Sequence, residues 1–383
     1  MRKPLEGIVV LEFCQFLAGP SAGLKLADLG ARVIKIERPG KGDACRQLAI
    51  KNLFIEEDSL LFHTINRNKE SYAADLKNPE DLKLIQQLIA KADIMTHNFR
   101  PGVMEKIGLD YPAVQTLNPK IIYATVTGYG NEGPWVNKPG QDLLIQSVSG
   151  MSYLTGSKED GPVPFGLSVT DIMCGNHLTQ GIIAALIKRA KTNKSVLVEV
   201  SLLESALDVQ FEVLTTYLND GGQLPERSAV KGSAHAYLSA PYSTYETSEG
   251  YIALAMGDLK TIAELIGCDI SPAYTNPADS FENRDELLLL LGQKFRENTS
   301  QHWLGLLESK DIWCAPVLDY KAATDLDVFK NMEIRQQLDL GNGSSLYTTR
   351  IPMQIDGQKL FARKAAPKIG ADNDRINLEF ELK

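Results

Sequence analysis

An α/β protein, with a large domain of parallel βαβ units and a smaller α+β domain, is predicted by three features of the sequence. Apolar runs of strand length alternate with glycine-rich loops and helical patterns through residue 214. Strands separated by helices imply parallel pairing, because a hairpin turn cannot return the chain in the same direction. The texture then changes at 218–232 (LNDGGQLPERSAVKG), which has the composition of a linker. Beyond it come a hairpin pattern at 242–256, turning at Thr247-Ser248-Glu249-Gly250, and further helical segments.

The elements follow in order. Gly7–Phe13 reads as a buried strand, Gly19 to Leu29 as a loop and helix, and Ala31–Ile36 as the next strand. Glycines 19 and 23 and an acid at Glu37 raise an NAD-dependent enzyme, but the GxGxxG fingerprint is missing. Pro39–Asp43 is a turn-rich loop at a strand end, where open α/β sheets bind ligands. Leu60–Ile65 leads through the polar bend Asn66–Lys69 into a short strand, Ser71–Leu76. Pro79–Ala92 is an amphipathic helix with Leu82, Ile85, Leu88 and Ile89 on one face. The strand Asp93–Thr96 feeds His97–Gly102, which reads either as a ligand loop or as a simple Pro-Gly turn.

Lys120–Thr127 is another buried strand, and a helix starts near Asp142. In Gly166–Arg189 the apolar residues recur at helical spacing after Asp171. Asp171 is either an N-cap or a ligand-facing carboxylate that the helix terminus keeps ionised. Gly166 and Gly175 favour the second reading, since they leave the backbone bare beside it. Ser195–Ser201 reads as a strand and Leu202–Leu214 as one helix. In the second domain Leu259–Ile266, Arg284–Phe295 and Ser300–Ser309 are helical, Cys314–Leu318 is a short strand, and the tail to Lys383 is loop-rich.

Bulk properties narrow the function. The chain has 383 residues, 44% apolar composition and a formal net charge of −8. That balance argues against nucleic acid or an anionic membrane as partner, so an anionic ligand needs a local basic patch. Five dispersed cysteines read as reduced thiols of a cytoplasmic protein, and the five histidines form no metal-ligand pattern, so no metal is expected. The apolar run in MRKPLEGIVVLEF is too short for a signal peptide or membrane span.

Taken together, VLEFCQFLAGP, LADLGARVIKIERPGKGD, DIMTHNFRPGVMEKIGLDY, LNPKIIYATVTGYGNEGP, QSVSGM and PVPFGLSVTDIMCGNHLTQGIIAALIKR resemble the class III CoA-transferases (CaiB/BaiF type). That group also contains formyl-CoA and carnitine CoA-transferases and α-methylacyl-CoA racemases. The resemblance runs from about residue 5 to about 215 and persists, thinner, through Trp303–Val317. It implies an interlocked, ring-like homodimer. It also implies a Rossmann-like large domain built from both chain ends, residues 1–217 and 318–383, a linker at 218–232 and a small domain at 233–317.

The resemblance makes Asp171 the nucleophile toward an acyl-CoA, with a carboxylic acid as second substrate and no tightly bound cofactor. It places CoA against Ala18, Arg38, Asp75, Leu76, Lys77, Asn98, Phe99, Arg100, Lys106, Gln141 and Asp142. It places the substrate pocket at Gln15, Leu17, Gly257 and Lys260. Lys106 stands where formyl-CoA transferases carry Arg, which replaces a bidentate fork with a point charge. Racemases carry a His at the position of Gln141 and an acid at that of Lys260, three residues after Gly257. A neutral amide cannot serve as a base, so CoA transfer is expected over epimerisation, and over mere CoA binding without catalysis. Formyl-CoA transferases have Gln in place of Leu17 and a glycine-rich loop in place of Ala255–Asp258. Leu17 cannot hydrogen-bond an oxalate-like acceptor, so a larger or less polar acid is expected.

Overall fold

The computed structural model describes residues 3–341 and 343–383. The chain divides into two compact units. The first comprises Met1–Ile145, Ser168–Val209 and Glu333–Lys383, and the second Gln146–Leu167 and Gln210–Met332.

The first unit is built on six parallel strands: β1 (Val9–Glu12), β2 (Arg32–Glu37), β3 (Glu70–Ala73), β4 (Ile94–His97), β5 (Ile122–Thr127) and β6 (Val196–Ser201). Their order across the sheet is β3-β2-β1-β4-β5-β6. This is the doubly wound dinucleotide-type order, in which the direction of winding reverses between β1 and β4. Strands at the sheet centre are apolar and almost wholly buried, as parallel strands covered on both faces must be.

The helices between these strands are α1 (Ala18–Asp28), α2 (Leu60–Asn66), α3 (Pro79–Lys91), α4 (Val103–Lys106), α5 (Tyr111–Leu117), α6 (Asp142–Val148) and α7 (Val169–Thr192); α8 (Leu202–Asp208) follows β6, and α9 (Phe211–Asn219) belongs to the second unit. α3 starts as its sequence prescribes: the Asn78 side chain accepts from Glu80 N–H at 2.9 Å, Pro79 opens the first turn, and Ile85, Leu88 and Ile89 are buried. The segment Leu60–Asn66 is a helix capped by Ser59, whose Oγ accepts from Phe62 N–H at 3.0 Å.

The single helix expected over 202–214 is two. It breaks at Val209–Gln210, where the chain passes from one compact unit to the other. The expected domain boundaries also shift. Residues 146–167 fold with the second unit because their polar groups are satisfied there: Val163 N–H donates to Ser152 O at 2.7 Å and Arg227 Nη1 to Thr155 O at 2.6 Å. For the same reason 218–232 is more than a bare linker, since Arg227 and Ser228 are buried and Lys158 N–H donates to Ser228 O at 2.8 Å.

The tail is more ordered than its composition suggests. Arg335–Asp339 and Ser345–Thr349 form a hairpin, and a terminal helix, Asn373–Glu379, buries Ile376 in the core of the large unit. Asn373 clamps Ala73 of the edge strand β3, accepting from its N–H at 2.8 Å and donating to its carbonyl at 2.9 Å. The tail thereby covers an edge that would otherwise offer unpaired backbone groups.

The second unit holds an antiparallel sheet of Ser243–Glu246, Tyr251–Leu254 and Cys314–Pro316. The first two strands form the hairpin expected from the sequence. Tyr245, Ile252, Leu287, Phe295 and Trp303 fill its core. No helix among the described residues is long and apolar enough to cross a membrane.

Candidate active site

The crevice beyond the carboxyl ends of β1 and β4 is where a sheet of this order takes its ligand. Gln15 and Asn98, from the loops after those two strands, meet there. The Asn98 amide accepts from Gln15 N–H at 2.8 Å and donates to Gln15 O at 2.7 Å. Its side chain thereby also holds the β1–α1 loop, a structural role that the sequence reading of Asn98 as a CoA contact did not include. Leu17 is half-buried against Cys45, Phe62 and Ile65 rather than fully buried, and Ala18 opens α1.

The other expected CoA residues on strand ends lie along the same edge. Arg38 follows β2; Asp75, Leu76 and Lys77 follow β3; Phe99 and Arg100 follow β4; Lys106 ends α4. The Asp75 carboxylate accepts from Lys77 N–H at 3.1 Å and shapes the turn, while Leu76 and Phe99 pack on the core. Arg38, Lys41, Lys77, Arg100 and Lys106 are exposed, and their side chains have no ion-pair or hydrogen-bond partner among the described residues. Unpaired cations gathered at one edge of a chain of net charge −8 make the local basic patch that a polyanion needs. Lys41 was not anticipated, because a Lys in a Pro-Gly turn reads as solvated surface.

Beneath that edge lies a buried charge network. Lys69 Nζ sits 2.9 Å from both Glu12 oxygens, and Lys35 Nζ bridges Glu12 at 3.2 Å and Asp43 at 2.8 Å. Glu37 takes a two-pronged bond from Arg46, at 2.9 and 2.7 Å, and a third from Ser71 Oγ at 2.6 Å. Burial opposes ionisation of Glu37, yet these Arg46 bonds hold its pKa below the usual value. Glu37 is thus spent inside the protein, which removes the ribose-binding acid of an NAD site. Glycines 19 and 23 serve packing instead: a Cβ at 23 would lie 1.7 Å from Glu12 Oε2, and one at 19 would lie 2.4 Å from Cys14 Sγ.

Asp171 lies in the first turn of α7, three residues past the N-cap position Ser168, so it is not the cap. Capping falls to Asp142, the first residue of α6. Its Oδ1 accepts from Thr170 N–H at 2.8 Å and Thr170 Oγ1 at 2.7 Å, with Asp171 N–H at 3.4 Å. The Asp171 carboxylate accepts no hydrogen bond among the described residues. Burial, and secondarily the Asp142 charge, push its pKa up to about 7. Desolvation and the neighbouring Asp142 charge thus work against the ionised form that the helix terminus favours.

Gly175 also changes role. A Cβ there would lie 2.0 Å from Ser21 Oγ and 2.8 Å from Ala18 O, so its bareness lets α1 and α7 pack closely. Gly166 meets nothing within 4 Å. Gln141 is exposed at the start of α6, with its carbonyl accepting from Ile145 N–H. Gly257 and Lys260 belong to the second unit, where Lys260 is exposed, 3.9 Å from Glu264.

A match to the model of "CoA-transferase family III" spans residues 5–373. The chain belongs to CoA-transferase family III. It is 35% identical over 329 residues to the human succinyl-CoA:glutarate CoA-transferase, covering 83% of this chain and 73% of that one. It is 30% identical to the acetyl-CoA:oxalate CoA-transferase of Acetobacter aceti, covering 98% and 96% of the two chains. A crystal structure of a CaiB/BaiF family protein from Brucella suis superposes with a TM-score of 0.86 at 30% identity, covering 99% of this chain and all of that one. This family III enzyme is accordingly an acyl-CoA:carboxylate CoA-transferase.

Replacing Asp142 by Asn keeps the acceptor for Thr170 but deletes the charge beside Asp171. The Asp171 pKa then falls, though not to an ordinary value, because burial remains the larger cause. We expect the acid limb of kcat/KM in Asp142→Asn to move to lower pH, so that activity at pH 6 becomes a larger fraction of its plateau. A limb that stays in place would show that Asp142 does not tune the group.

Proposed function

We propose that Asp171 attacks the thioester carbonyl of an acyl-CoA. The C–S bond breaks, CoA leaves as thiolate, and a mixed anhydride links Asp171 to the acyl group. The thiolate then attacks the aspartyl carbonyl, releasing the donor acid and leaving an aspartyl-CoA thioester. An acceptor carboxylate repeats the two steps in reverse, so that CoA leaves on the acceptor and Asp171 is regenerated.

One observation carries this reading: a half-buried carboxylate with no hydrogen-bond partner among the described residues, on a helix packed against α1 at the crevice. A pKa near 7 makes it more nucleophilic than an ordinary carboxylate while leaving much of it ionised at neutral pH. The unpaired cations at the strand ends would hold the CoA phosphates, with Arg38 as the main contact. Removing that guanidinium (Arg38→Ala) raises KM for the acyl-CoA roughly 10-fold or more, as loss of a charged hydrogen bond does, while kcat changes little. An unchanged KM would remove Arg38 from the site.

The names of the relatives make succinyl-CoA and glutarate the first donor and acceptor to try. A half-buried Leu17 fits a dicarboxylate longer than oxalate. Epimerisation lacks a second base at Gln141. Exposed Ile172 and Ile187 on α7, and Phe211 and Leu218 on α9, suit the homodimer. Five free cysteines suit the cytoplasm.

The deciding experiment is intact mass spectrometry after incubation with succinyl-CoA. A CoA adduct on the wild-type chain that is absent in Asp171→Ala supports the reading. Full transfer by Asp171→Ala would sink it.

A further inference from the structure

The loop between β1 and α1 is held in a conformation that packing alone does not require. Phe16 has φ of +64°, the left-handed region that a bulky residue avoids, yet its side chain is 50% exposed. A glycine would sit there without strain. The backbone around it is fixed from several directions. Gln15 is clamped by Asn98 at both its N–H and its carbonyl. Phe16 N–H donates to Asp43 Oδ1 at 3.2 Å. Lys35 Nζ donates to Cys14 O at 2.7 Å and Lys69 Nζ to Pro20 O at 2.8 Å, so two fully buried lysines anchor the start of the loop and the first turn of α1 that follows it.

Asp43 is held in turn by Lys35, which shares Glu12 with Lys69. The buried charges therefore impose the strained turn, and the exposed ring returns nothing to the core for it. Backbone strain over-determined by its surroundings in this way clusters at ligand and active sites. The next residues lead straight to Asp171: Ala18 O packs against Gly175, about one helical turn beyond the carboxylate on α7.

We propose that Phe16 is a specificity-determining residue whose ring bears on the acyl chain of the thioester, and that Asp43 is the positioning residue that holds it there. The inference rests on Asp171 being the nucleophile. With the backbone locked, the Cα–Cβ direction of Phe16 is fixed and the ring is confined to the rotamers about that bond, so the length and bulk of the acyl group decide how well the carbonyl reaches Asp171.

The test compares kcat/KM for acetyl-, propionyl-, succinyl- and glutaryl-CoA, with thermal melting, in wild type and three variants. Phe16→Gly relieves the strain and removes the ring. Its Tm stays level or rises, while the ratio of kcat/KM between the longest and shortest acyl groups changes at least 10-fold. A merely structural role gives the opposite pattern, a lower Tm with equal losses on every thioester, and would overturn the proposal. Asp43→Asn keeps the acceptor for Phe16 N–H and so keeps wild-type selectivity, whereas Asp43→Ala shifts selectivity as Phe16→Gly does. If either Asp43 variant fails to fold, the Phe16→Gly ratio decides alone. Absence of a CoA adduct on wild type defeats the nucleophile reading itself. An adduct with unmoved selectivity in Phe16→Gly defeats only the inference about Phe16.

Discussion

Asp171→Asn should lose CoA transfer by roughly 10³-fold or more, in keeping with the removal of a nucleophile from a covalent mechanism. An amide of the same shape cannot form the anhydride, so no CoA adduct should accumulate, while KM for the acyl-CoA stays close to that of wild type. The same substitution should stabilise the fold in a pH-dependent way. In wild type the folded pKa of about 7 lies above the unfolded value of about 3.9. Between those values the folded state binds the proton more tightly, so wild-type stability falls as pH rises from about 4 to about 7. The amide that replaces the carboxyl has no such proton to lose. The melting temperature of Asp171→Asn relative to wild type should thus be more favourable at pH 8 than at pH 5, by a few degrees. A difference that does not vary with pH would mean that Asp171 is not the desolvated acid inferred here.

The second large effect lies beneath the site. Arg46→Met should destabilise the protein by roughly 3–5 kcal/mol, the range for removing one partner of a buried ion pair. Arg46 is 1% exposed; besides Glu37 it reaches Asp58 at 2.6 Å and Pro367 O at 3.0 Å, and it lies 3.8 Å over the Phe62 ring. Methionine fills part of that space but leaves Glu37 buried with only Ser71 Oγ and Asp43 N–H. Glu37 has a depressed folded pKa, so its contribution is present above its unfolded value of about 4.3 and is lost as pH falls through the folded one. The gap in urea midpoint between wild type and Arg46→Met should be wide at pH 7 and narrower below pH 4. Equal midpoints at pH 7 would show that the pair contributes no net stability.

Both expectations bear on how much the sequence discloses. The strands, the amphipathic helix at 79–91 and the hairpin at 243–254 are legible, because each has a local hydrophobic period and its own cap or turn residues. Asp171 could be singled out because it opens a long apolar-periodic helix within a string of family motifs. The charged groups beneath the site could not. Glu12, Lys35 and Lys69 are at most 1% exposed, whereas charged residues in a sequence read as surface. Only the pairing of β1 with β2, and of β2 with β3, brings their side chains together.

The sequence by itself determined the α/β class, the family and the carboxylate on which the chemistry is proposed to turn, since these rest on local period and motif order. Tertiary structure decided the rest. It showed that Glu37 is consumed by Arg46, that Gly175 serves helix packing, that Asn98 holds Gln15 rather than standing free, and that Asp142 caps α7 while raising the Asp171 pKa. The physical reason is common to all four. Whether a polar side chain is free or spent, and whether a carboxylate is solvated or dry, depends on what packs against it. Those neighbours are as distant in the chain as Asp142 and Asp171, or Gln15 and Asn98.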